Sequence, residues 1–253
     1  MASRNPKHYP KNYITNALVR LDFVENVPSQ VKDSLKKELH VKDGDFSVKT
    51  IHRKSIDLRD GRFENEVVGT QAVFKVESGR FELTNDAFVY MVESYTTFEC
   101  FLSEFSRGLD ALLRVLQEPP SFQRVGLRYI NDFRVKHIKK PSQWEPYFNR
   151  KFMGSLKTLE APVEGFLLLR NMNTFNFKSG EVAVTLKTGL WNDEFPVPFG
   201  ANNFIVDIDC YIESLIFDHT FVQKQMPRLN KVAFDFFSKV GSNTLRRHLE
   251  GHE

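Results

Sequence analysis

Hydrophobic and polar positions along the chain follow two periods, and the switches between them mark out its elements. Ala17 to Phe23 alternate, with Leu21 and Phe23 on one face and Arg20 and Asp22 on the other, the two-residue period of a half-buried strand. A helix follows, opened by Pro28 or Ser29, with Val31, Leu35 and Leu39 as its apolar stripe and Lys32, Lys36 and Lys37 turned to water. Short alternating runs then fill 45–76, broken by Asp-Gly at 43–44 and 60–61, and residues 74–83 read as a further hairpin. The period lengthens at Phe98. Phe98, Phe101, Leu102, Phe105, Leu109, Leu112, Leu113 and Leu116 recur at three- and four-residue intervals until Pro119-Pro120 stop the helix. Residues 122–135 return to alternation, with Val125, Leu127 and Tyr129 set against Arg124 and Arg128.

The second half repeats this outline. A strand, a turn at Lys178-Ser179-Gly180 and a returning strand precede a long irregular loop over 189–203. The segment FIVDIDCY (204–211) then matches FVYMVESY (88–95), with Phe at both starts, Tyr at both ends, and Glu93 answered by Asp209. A helix over 219–240 carries Val222, Met226, Leu229, Val232, Ala233, Phe236, Phe237 and Val240 at helical spacing. Pro227 predicts a kink or a late start in it, and Gly241 ends it before Ser242 or Asn243 caps a short tail helix. The expected fold is α+β, with two pseudo-repeated halves, each an antiparallel sheet covered by a long amphipathic helix. The expected division is 1–135, a basic connector at 136–160, and 161–253.

Composition sharpens the core and weakens the simplest functional guesses. Among 253 residues there are 24 Phe, which bury without a polar atom to satisfy, so the core is expected to be built on phenyl rings. The net charge of +3 is too small to imply nucleic acid or an acidic membrane by itself, and local clusters must carry any such reading. The basic start has no apolar run after it and no stretch is long enough for a membrane helix, so the expectation is a cytoplasmic chain with no membrane partner. Cys100 and Cys210 have no metal-ligand spacing and read as core fillers, free thiols in a reducing compartment.

Candidate chemistry is sparse. Nucleotide-binding glycine motifs, a Gly-x-Ser-x-Gly elbow and a His-Glu-x-x-His zinc motif do not occur, so the chain is read as more binding protein than enzyme, with no catalytic residue, metal or cofactor assigned. Asp207 and Asp209 share one strand face near Asp218-His219. They read as a solvated face, with a divalent cation site in a hydrolytic cavity between sheet and helix as the competing reading. Asp218 also suits a helix cap. The connector offers Lys136, Lys139, Lys140, Arg150 and Lys151 to phosphates, with Trp144 and Tyr147 as rings to stack bases, set against a plain solvated charge run. The loop at 189–203 offers Trp191, Phe195 and Phe199 either as a cover for the core or as anchors for a protein partner.

Three stretches, YPKNYITNALVRLDF at the start, RVGLRYIND at 124–132 and LNKVAFDFFSKVGSNTLRRHLEG near the end, together resemble a sporadically distributed, uncharacterised family of bacterial and archaeal proteins of about this length. The string RVGLRYIN (124–131) is the most specific of them. The resemblance implies no catalytic residues. Its patchy distribution implies anti-phage defence, immunity or a toxin–antitoxin setting over housekeeping metabolism. The sequence therefore predicts a non-catalytic recognition module whose partner is a protein or a nucleic acid, with a homodimer as a further arrangement.

Overall fold

Residues that alternate in the sequence do so because they lie in strands with one buried face. The computed structural model describes residues 9–56, 63–135, 137–138, 141–153, 170–192 and 203–252. In β1 (Ile14–Phe23) Ala17, Val19, Leu21 and Phe23 all point into the core. There follow α1 (Val31–Glu38), β2 (Phe46–Ile56), β3 (Phe63–Val76), β4 (Gly79–Leu83), β5 (Ala87–Val92), α2 (Phe98–Val115) and β6 (Phe122–Phe133). The short α3 (Arg150–Met153), β7 (Asn171–Ser179), β8 (Val182–Trp191), β9 (Asn203–Phe217), α4 (His219–Val240) and α5 (Asn243–Leu249) complete the order.

The strands form one sheet in the order β2-β3-β4-β5-β1-β6-β9-β8-β7. Antiparallel pairing joins β2 to β3, β3 to β4, β4 to β5, β7 to β8 and β8 to β9. The fold is mixed α+β on a large antiparallel sheet. The chain divides into two compact units, one of Met1–Ala17, Leu127–Ile212 and Met226–Glu253, the other of Leu18–Gly126 and Glu213–Gln225. The halves expected at 1–135 and 161–253 are contiguous stretches of chain, whereas these units are not.

In the unit containing Leu18–Gly126, α2 presents Phe101, Phe105, Leu109 and Leu112 on one buried face. Thr97 starts it, its hydroxyl accepting from the Cys100 N–H at 3.2 Å. That face meets rings of β4 and β5: Tyr90 lies 5.3 Å from Phe101 and 4.6 Å from Phe81 between ring centroids. Gly108 is the closest approach, since a Cβ there would stand 2.1 Å from Phe81 Cε1. Two expectations are corrected in this unit. Lys32 does not face water. It is buried, and its Nζ donates to the Thr70 carbonyl oxygen at 3.2 Å and to the Thr70 hydroxyl, while burial pushes its pKa down. Its long stem lets the ammonium cross an apolar contact to reach a partner. Cys100 is exposed in the first turn of α2 and fills no core; Cys210 is buried as expected.

In the other unit, β7 and β8 form a hairpin that turns at Gly180, whose φ of +58° is the left-handed conformation glycine adopts without strain. The Tyr129 hydroxyl of β6 donates to Asn230 Oδ1 of α4 at 2.9 Å, and Phe133 stacks 6.4 Å from Phe237. Met226, Leu229, Ala233 and Val240 of α4 are buried, whereas Phe236 and Phe237 are only half-buried. The helix does not start late. Its first turn, which belongs to the unit of Leu18–Gly126, is capped by Asp218, whose Oδ1 accepts the Phe221 N–H at 2.8 Å, and α4 continues from His219 through Pro227, whose ring removes one N–H from the ladder. Ser242 caps α5, its hydroxyl accepting from the Leu245 N–H at 3.2 Å.

Gly108 separates packing from propensity. Helix propensity alone makes Gly108→Ala stabilising by up to about 1 kcal/mol. The Phe81 contact reverses the sign, so a loss of about 1–3 kcal/mol is expected in urea unfolding; a midpoint at or above the wild type would show that α2 does not close on β4.

Candidate functional site

The connector is tied down by its aromatic residues. Trp144 is fully buried, its ring 5.7 Å from Phe204, 5.8 Å from Phe148 and 6.5 Å from Phe133. It is a core ring, with no face left to stack a base. The backbone beside it is held to the end of α4: Asn149 N–H donates to the Val240 carbonyl at 2.7 Å and Ser242 N–H to the Tyr147 carbonyl at 2.9 Å. The Tyr147 hydroxyl shares a 2.8 Å hydrogen bond with His137 Nε2. Arg150 is exposed with its guanidinium 3.7 Å from Glu145, and Lys151 is exposed on α3. Lys136, Lys139 and Lys140 lie outside the described residues. The structure therefore brings Trp144 and Tyr147 together as packing, with Arg150 and Lys151 on the surface.

Asp207 and Asp209 of β9 are not a solvated pair. Asp207 is only 7% exposed, and Arg128 of β6 grips both its oxygens, Nε to Oδ1 at 2.7 Å and Nη2 to Oδ2 at 2.7 Å. Hydrogen bonding to Asp207, helped by the charges of Asp207 and Asp209, raises the Arg128 pKa against the opposing effect of burial. This bidentate grip occupies the oxygens a cation would need. Among the described residues no group of three His, Cys, Asp or Glu side chains converges on a metal-sized site. Beside them, burial and the charge of Asp209 push the Cys210 thiol up to about 12, which keeps it protonated and a poor nucleophile near neutral pH.

Trp191 ends β8 half-buried, with the Arg170 guanidinium 3.7 Å from its ring centroid. Phe195 and Phe199 lie outside the described residues. The more conspicuous apolar surface is next to it, on β7. Phe175 and Phe177 stand opposite Leu186 and Val184 of β8, so they share the face of those buried side chains, yet Phe177 is 39% exposed. A row of rings runs along this end of the sheet: Phe152 lies 5.8 Å from Phe175, Phe175 6.4 Å from Phe177, and Phe177 5.1 Å from Phe236 of α4. Among the described residues β7 pairs only with β8 and is the last strand of the sheet. The sequence identified the strand but neither its two phenyls nor this surface, because edge position depends on strand order. Its trace in the sequence was the tract NTFNFKS, where phenyls alternate with small polar residues and no acid intervenes.

The Arg128–Asp207 grip has a measurable signature. Arg128→Met strands a carboxylate that is nearly out of water, and a loss of about 2–3 kcal/mol is expected. Lys187, directly opposite Asp207 on β8, sets the lower end of that range. Arg128→Met with Asp207→Leu should recover most of the loss, and strictly additive costs would mean the two do not act as a pair. Comparisons with protein-family models and with curated proteins give no match for this chain.

Proposed function

We propose that this protein is a non-catalytic recognition module that takes an extended segment of a protein partner along the outer side of β7. The observation that carries the reading is the half-exposed row Phe152, Phe175, Phe177 and Phe236 beside a strand that pairs on one side only among the described residues. Such an edge offers unpaired N–H and C=O groups for main-chain bonds, while the rings supply contacts for alternate side chains of the incoming strand. The nucleic-acid reading retains Arg150 and Lys151 as exposed cations but has no exposed Trp144 to stack on. The hydrolytic reading has Asp207 already engaged by Arg128.

The resemblance of residues 124–131 to a sporadically distributed family supports an anti-phage defence, immunity or toxin–antitoxin setting. The free thiols Cys100 and Cys210 suit a reducing cytoplasm. In this reading β5 with α2 and β9 with α4 are two copies of one strand–helix unit, supported by Phe88 and Phe204, both fully buried at corresponding strand positions. Selection from a random peptide library should return ligands with apolar side chains at alternate positions. Phe177→Glu should weaken them about tenfold or more with the thermal melt unchanged. Ligands indifferent to Phe177→Glu would move recognition off β7. A salt-sensitive nucleic-acid complex lost in Lys139→Ala/Lys140→Ala would replace the reading altogether.

A further inference from the structure

We infer that the strand which adds to β7 is β7 of a second copy of this chain, paired antiparallel about Phe175. This rests on the reading of β7 as a recognition edge and names its occupant. The two ends of the sheet are built differently. At the β2 end the strand carries the exposed Lys49, and its register with β3 slips between Ile51 and His52, so a cation and a bulge both discourage further pairing. At the β7 end the register with β8 is unbroken over all nine residues, and the strand has no proline, no acid and only one cation, Lys178. Edges left this way are templates for another strand.

The sequence of β7 fits its own reverse. A two-fold axis perpendicular to the sheet keeps each side chain on its face, so the symmetric pairing that overlaps all nine residues centres on Phe175. Phe175 then meets Phe175 of the second copy, and Phe177 lies beside its Asn173 and diagonal to its Phe175, which carries the row of rings across the junction. Lys178 falls opposite Met172 of the second copy, so no two like charges face each other directly. A single strand pair with these ring contacts sits at the small end of specific interfaces, below about 1,200 Å². The dimer should therefore dissociate on dilution.

The Met172–Lys178 pairing makes the register testable by sign. In the monomer Met172 is half-buried opposite Gly189 on the polar side of the hairpin, a position that tolerates a charged side chain. Sedimentation velocity of the full chain, run from about 1 to 100 µM, should show a monomer–dimer equilibrium. Met172→Lys places like charges opposite each other twice and should weaken the dimer roughly tenfold, whereas Met172→Glu should tighten it by a similar factor. Circular dichroism should be the same for both variants. A dimer that both variants weaken equally, or neither alters, would overturn this register. A wild type monomeric throughout that still binds library-selected strand peptides would overturn self-pairing and leave the β7 reading standing; one that binds no such peptide would overturn both.

Discussion

Phe204 stacked on Phe148, with ring centroids 4.1 Å apart, is the contact on which the unit containing Leu127–Ile212 depends. Phe204 begins the buried face of β9, while Phe148 belongs to a segment rich in cations that has no long apolar stripe of its own. Once the phenyls stack, Trp144 and Phe133 close around them at 5.7 Å and 5.3 Å, and the segment from Pro141 to Met153 is pinned to the sheet. A bridge from Phe148 to Gly241 and the Asn149 and Ser242 hydrogen bonds then fix the joint between α4 and α5. Buried phenyl rings bring no polar atom to satisfy. Packing of this kind decides what the connector can do, because a ring spent on the core is not available to a ligand.

Charge is handled by the same economy of partners. The ammonium of Lys32 and the carboxylate of Asp207 are both nearly out of water, and each has a specific answering group, Thr70 for one and the Arg128 fork for the other. Neither is poised for chemistry. With the buried ionisable groups engaged in structure and the Cys210 thiol held protonated, the surface feature that calls for an explanation is apolar: phenyl rings half in water beside a strand edge.

Much of the fold was legible because it depended on local periodicity. Leu21 and Phe23 announced β1, Phe101 to Leu112 announced α2, and Gly180 and Ser242 fixed a turn and a cap through backbone chemistry that acts within a few residues. The misreadings have a common physical cause. Whether Lys32 is solvated depends on Thr70, and whether Asp207 is free depends on Arg128 across the strands, so both turn on partners remote in sequence. Trp144 was read by its basic neighbours, although its environment is set by Phe204 on another strand. Cys100 falls among apolar residues of α2 but on a helical position facing out. The candidate site itself was least legible, since an edge is a property of the finished sheet.

Burial of Trp144 is the most direct check on this account. With Trp191→Phe as the background, Trp144 is the sole tryptophan, and its fluorescence reports only on the ring cluster. The account predicts a blue-shifted emission nearly insensitive to acrylamide until the protein unfolds. A red-shifted emission quenched as readily in the native protein as in denaturant would contradict it, freeing the connector and its indole for a ligand.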